Sequence, residues 1–114
     1  MGYEQQFRIM IDSAKDRQLL IQELCSLMPD LDAQSPFTAT ASGNYLELQE
    51  NEDYDPEMTN DPEDAFLYFR FVLGVIPVGD VDVKGQLKLA KQLVEACHRA
   101  GARAEVVADF EGLL

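Results

Sequence analysis

The stretch Ala65–Val78 reads AFLYFRFVLGVIPV, and its layout decides the fold. Within it Phe66–Val78 is the longest apolar run of the chain. Arg70 and Gly74 interrupt that run, and it falls short of the roughly 20 residues a spanning helix needs. Read with a period of two, Leu67, Phe69, Phe71, Leu73 and Val75 share one side, and Phe66, Tyr68, Arg70, Val72 and Ile76 share the other. Both sides are rich in apolar residues. The pattern predicts a central strand that is covered on both faces or continues into an interface. Pro77 and Gly79 end it.

Immediately before this run lies Glu50–Asp64, ENEDYDPEMTNDPED. It carries the carboxylates of Glu50, Glu52, Asp53, Asp55, Glu57, Asp61, Glu63 and Asp64 and no Lys or Arg. Pro56 and Pro62 exclude a regular helix or a central strand. The segment therefore reads as an acidic flap beside a buried strand.

Further toward the N-terminus, Tyr3–Asp12 alternates as a strand. Ser13, with Asp16 three residues on, resembles a capping box and opens a helix from about Ala14 to Leu27 or Met28. Its inner stripe is Leu20, Ile21, Leu24, Leu27 and Met28. Asp30–Pro36 is a polar connection. Phe37–Gln49 is extended, either as one strand bent at a bulge near Gly43, which the weak apolar pattern slightly favours, or as a tight hairpin. On the C-terminal side, a helix over about Val83–Ala100 has Leu87, Ala90, Leu93, Val94 and Cys97 inside, with Gly101 as its C′ residue. Arg103–Phe110 is the last strand.

The order β, α, β, β, α, β predicts one α+β domain over residues 1–114, with the acidic flap at 50–64. Its expected architecture is ferredoxin-like βαββαβ: a four-stranded antiparallel sheet with two helices on one face and the first and third strands central. The other face is open. Tyr45, Phe66, Tyr68, Arg70 and Phe110 are candidates for it, unless the flap folds over them.

Of the 114 residues, 9 are Lys or Arg and 21 are Asp or Glu, for a net charge of −12. Such a field repels nucleic acid and anionic membranes and attracts basic surfaces. The N-terminus has no secretory pattern, and Cys25 and Cys97 sit on apolar helical stripes. Free thiols and a cytoplasmic location are expected.

Motifs for chemistry are sparse. Counted from Asp53, the flap carboxylates Asp53, Asp55, Glu57, Asp61 and Asp64 fall at calcium-loop positions. Met58, however, stands where the sharp turn needs glycine, and the flanks are strands. The single histidine, His98, adjoins Cys97 on one helix, so the two cannot act as base and nucleophile or form a ligand set. No phosphate-cradling loop or cofactor motif is present. Arg70, a cation within Tyr68-Phe69-Arg70-Phe71, is expected to pair with a flap carboxylate or Asp109.

The run Phe66-Leu67-Tyr68-Phe69-Arg70-Phe71, the helix ending at Gly101 and the terminal Asp109-Phe110-Glu111 together resemble a largely uncharacterised family of small acidic bacterial proteins. The family pattern has Cys where Ala108 stands. The resemblance implies a bacterial cytoplasmic protein with a two-layer α+β domain and carries no activity. In size and charge the chain is also similar to immunity proteins that neutralise bacterial toxins. The reading is thus a non-enzymatic, cofactor-free binding protein. Its partner would be a basic protein surface, met by Glu52, Asp53, Asp55, Glu57, Tyr68, Arg70 and Phe110. The alternative is a small ligand-binding or regulatory domain that dimerises through its sheet.

Overall fold

The computed structural model describes residues 5–60 and 63–108. It is α+β, with two helices and one antiparallel sheet. In chain order the elements are β1 (Phe7–Asp12), α1 (Arg17–Leu27), β2 (Asp32–Ser35), β3 (Thr38–Ala41), β4 (Asn44–Glu50), β5 (Phe71–Pro77), α2 (Val83–Arg99) and β6 (Arg103–Ala108). A short 3₁₀ turn, Ala65–Tyr68, precedes β5. The sheet order is β2-β3-β4-β5-β1-β6. It has six strands where four were expected. The two additional strands come from segments that carry little apolar signal. β2 is exposed along its whole length and is a strand only through its backbone pairing with β3.

The hairpin reading of residues 37–50 is the one realised. β3 and β4 pair from Thr38↔Glu47 to Ala41↔Asn44. Their turn is Ser42-Gly43, with φ of 49° and 80°. Positive φ at both central residues matches the twist of the flanking strands, as a type I′ turn does. The Gly43 carbonyl also accepts the N–H groups of Val78 and Gly79, tying the turn to the end of β5.

The apolar run 65–78 is not one strand. Its second half is β5, with the alternation predicted: Phe71, Leu73 and Val75 are buried while Val72 and Ile76 face the other way. Its first half leaves the sheet as the 3₁₀ turn. Around β5 the register runs Ile9↔Leu73 and Leu46↔Val75, so the inner face collects Phe7, Ile9, Ile11, Leu46, Leu48, Phe71, Leu73 and Val75. Both helices pack there. α1 contributes Leu20, Ile21 and Leu24; α2 contributes Leu89, Ala90, Leu93, Ala96 and Cys97. Each fully buried side chain of this size removes about 1.5–3 kcal/mol worth of apolar surface from water.

Both helix starts are capped by aspartate. Asp16 Oδ1 accepts from Leu19 N at 2.8 Å, so α1 begins after Asp16 and not at Ser13. Asp82 Oδ1 accepts from Gly85 N at 2.7 Å. α2 ends as predicted, with Gly101 at φ 81°. Ala102 N donates to Cys97 O and Gly101 N to His98 O, the paired closing bonds of a Schellman motif. The buried stripe of α2 is rotated from the predicted one. Leu87 and Val94 are only partly buried, while Leu89, Ala96 and Gln86 are inside.

Gln86 is 1% exposed and Asn44 0%. Their amides bond reciprocally: Asn44 Nδ2 donates to Gln86 Oε1 at 3.0 Å, and Gln86 Nε2 to Asn44 Oδ1 at 2.8 Å. Asn44 Nδ2 also reaches the Ala41 and Ser42 carbonyls, and Gln86 Nε2 reaches that of Gln5. Buried amides are tolerated when their bonds are made in this way. Among the described residues no helix is long and apolar enough to cross a membrane.

Candidate functional site

The outer face of the sheet carries Arg8, Met10 and Asp12 on β1, Val72, Gly74 and Ile76 on β5, Tyr45, Glu47 and Gln49 on β4, and Arg103, Glu105 and Val107 on β6, as the pairing registers dictate. No helix covers it. The acidic flap folds over one end instead, and Met10 is left only 6% exposed.

Local bonds shape the flap. Asn51 Oδ1 accepts from Asp53 N, and Asp55 Oδ1 from Glu57 N. Asparagine and aspartate favour such turns because the short side chain reaches the backbone two residues on. Thr59 Oγ1 donates to Pro56 O. The flap is then stitched to the segment before β5. Asn51 N donates to Arg70 O and Asp55 N to Tyr68 O, and Asn51 Nδ2 donates to the carbonyls of Leu67 (3.0 Å) and Phe69 (2.7 Å).

One arginine of the sheet pins the structure from below. Arg103 donates to Thr59 O and to Asp12 Oδ2, both at 2.7 Å, and its guanidinium lies 4.7 Å from the Phe69 ring centroid. Phe69 is 6% exposed.

Between flap and sheet remains an open hollow of about 560 Å³. Met10, Val72 and Val107 form its apolar floor, and Tyr54, Leu67 and Tyr68 line it from the flap side. Glu52, Asp53 and Asp55 stand at the acidic rim, with Arg8 across from them on β1. Tyr54 is 44% and Leu67 45% exposed. Arg8, Val72 and Val107 are shared with a second depression of about 670 Å³, which continues over Gly74 to Ile76, Glu47 and Gln49. The two form one concave tract along the outer face.

Of the residues singled out from sequence, Glu52, Asp53, Asp55 and Tyr68 meet in this hollow. Glu57 is exposed elsewhere on the flap. Arg70 is directed away from the hollow. Its Nη1 donates to the Ser13 and Lys15 carbonyls at 3.1 Å, bracing the β1–α1 loop, and its guanidinium lies 4.7 Å from the Phe71 ring. Phe110 and Asp109 lie outside the described residues. Sequence reasoning missed Tyr54, Leu67, Arg8 and Met10. The alternation of Arg8 and Met10 with buried Phe7, Ile9 and Ile11 was the available signal for the last two.

Two other hollows differ in character. One, of about 380 Å³, sits at the start of α2 beside Asp30, Asp80 and Asp82; the other, of about 530 Å³, runs between α2 and β6 beside Val94 and Val106. Neither combines aromatic side chains with a charged rim. Among the described residues no group of three or more His, Cys, Asp or Glu is placed to hold a metal ion. Both cysteines are free. Burial pushes the Cys97 thiol up to about 12, and burial followed by the nearby Asp32 charge raises that of Cys25. Neither is a thiolate at neutral pH.

Compared with family models, curated proteins and solved structures, the chain matches none.

Proposed function

We propose that this chain is a non-enzymatic acidic binding protein that holds a basic protein partner against its flap and outer sheet face, with toxin immunity or inhibition as its concrete form. One observation carries the reading: Glu52, Asp53 and Asp55 stand at the rim of a hollow whose sides keep Tyr54 and Leu67 nearly half exposed. A charged rim around exposed aromatic and aliphatic groups is the anatomy of a protein-binding patch. The net charge of −12 adds long-range steering toward a basic surface. Arg70 leaves the contact set and serves the scaffold, and Tyr54 takes its place. Two free thiols accord with a cytoplasmic setting. The strand order β4-β5-β1-β6 with α1 and α2 on its inner face supports reading the framework as ferredoxin-like, widened by β2 and β3.

Affinity capture from the native host, followed by rapid-mixing kinetics against the captured protein, tests the reading. Association should slow as salt rises, because exposed charge acts mainly on the on-rate and is screened within about 8 Å at physiological ionic strength. Replacing Glu52, Asp53, Asp55 and Glu57 by their amides should slow association about tenfold or more at low salt and flatten the salt dependence. Salt-independent association of the wild type would refute steering. A second copy of the chain as the sole captured partner would favour the dimerising alternative, in which the exposed Ile76 region is the contact.

A further inference from the structure

The hollow asks more of its occupant than positive charge. Its sheet side is apolar apart from Arg8, its flap side carries two tyrosines, and its carboxylates come from the flap residues Glu52, Asp53 and Asp55. A compact, strongly hydrated cation would meet the carboxylates and leave the rings and floor in water. A guest that fills the place needs an aliphatic stem, a flat cationic head and donors for carboxylate oxygens. An arginine side chain has all three: its methylenes cover apolar surface, its guanidinium stacks on aromatic faces, and its planar fork bonds carboxylates bidentately.

The molecule already uses this arrangement at the other side of the same flap. Arg103 lies 4.7 Å from the ring of Phe69 while bonding the Asp12 carboxylate and the Thr59 carbonyl. Arg17 lies 3.6 Å from the ring of Phe37. We propose that the hollow between flap and sheet receives a single arginine side chain from a partner protein, between Tyr54 and Tyr68 on one side and the Met10–Val72–Val107 floor on the other.

Three carboxylates and one guanidinium, that of Arg8, line the hollow. The balance excludes phosphate as the guest. Arg8 also repels a second cation, so the hollow selects one arginine flanked by neutral or acidic residues over a polybasic run. The proposal rests on the basic-partner reading above and sharpens it to one side chain.

The test is an amide chemical-shift titration of the full chain with the capped peptide acetyl-Gly-Arg-Gly-amide. The same peptide with citrulline, a neutral isostere of arginine, serves as control. Saturable shifts should appear at Asn51–Asp55, Tyr68 and Val107. Citrulline should bind at least about fivefold more weakly. Tyr54→Ala should weaken arginine binding and Tyr54→Phe should preserve it; Tyr54 is exposed, and an unchanged amide pattern elsewhere certifies the fold. Arg8→Ala should tighten binding by about two- to fivefold, as expected for removing a like charge near the surface. Weaker arginine binding by Arg8→Ala would show that Arg8 supports the bound guest and does not repel it, and would overturn the proposal. So would equal shifts with citrulline, or shifts confined to another face. Failure here is distinguishable from failure of the broader reading. A captured basic partner whose salt-dependent association and whose dissociation are both unaffected by Tyr54→Ala leaves the acidic surface in place and removes the arginine anchor.

Discussion

The helix-covered and flap-covered faces belong to the same sheet, yet they are closed by different forces. On the inner face Ile9, Leu46, Leu48, Phe71 and Leu73 meet Leu20, Leu24 and Leu93, none more than 1% exposed. That closure is non-directional and spread over many contacts. On the outer face the flap is held by a few directional bonds, from Asn51 and Arg103 above all, with Met10 and Phe69 as its modest apolar content. A region sealed by few contacts opens at lower free energy than the core. The expected consequence is a division of labour: one face supplies stability, and the other supplies a cover that yields without unfolding the sheet.

The comparison is broken most severely at its aromatic residues. Phe71→Ala should cost about 3–5 kcal/mol, read from urea unfolding, because the rigid inner face cannot fill the cavity. Phe69→Ala should cost clearly less, since the flap can settle into the space. Equal losses would mean that the two faces are equally rigid.

The next effect lies at the buried amides. Gln86→Leu should cost about 1–3 kcal/mol, because Asn44 Oδ1 loses its donor while remaining buried. Combined with Asn44→Leu, the loss should be less than the sum of the two single changes, with a coupling of about 0.5–3 kcal/mol. Additive losses would show that the amides act independently.

The smallest effect sharpens the comparison. Asn51→Ala removes two bonds to partly solvated carbonyls and one from the exposed Asp53 amide, and should cost about 1 kcal/mol. The loss should be local. Hydrogen exchange at the Asp55 amide, which donates to Tyr68 O, should accelerate while that at Leu73 is unchanged. Equal acceleration at both would place the flap within the cooperative core.

The inner face was the legible part of this molecule. Its residues are apolar at the periods of strand and helix, so β1, β5, both helices and the Gly101 stop follow from pattern. What was misread has physical causes. The alternation of Phe66, Tyr68 and Arg70 continues that of β5, and nothing in hydropathy marks the point at Arg70 where the chain leaves the sheet. Asn51 marks it in space by bonding the carbonyls of Leu67 and Phe69. The stripe of α2 was misphased because Gln86, a polar residue, is buried through a partner on a distant hairpin. β2, with the sequence DAQS, carries no apolar alternation at all. For the candidate site, the carboxylates were visible in the acidic flap and Tyr68 in the apolar run that follows it. Arg8 and Met10 were not, because only the folding of the flap onto β1 makes their face part of a hollow.

The place of β1 in the sheet has a consequence for how the chain is made. Its neighbours are β5 and β6, with Ile11 opposite Phe71 and Phe7 opposite Ala108. β2, β3 and β4 form a local meander that can zip together as it leaves the ribosome, whereas β1, made before them, has no strand of this sheet to pair with until β5 emerges. Through that interval Phe7, Ile9 and Ile11 are bare on a strand with two open edges, a template for pairing with another chain. Contacts of such long sequence separation close slowly. In order of synthesis the edge of β1 that β6 covers is the last to gain its partner, and a chain stalled before Phe71, with both edges of β1 open, is expected to be more prone to aggregation than one stalled before Arg103.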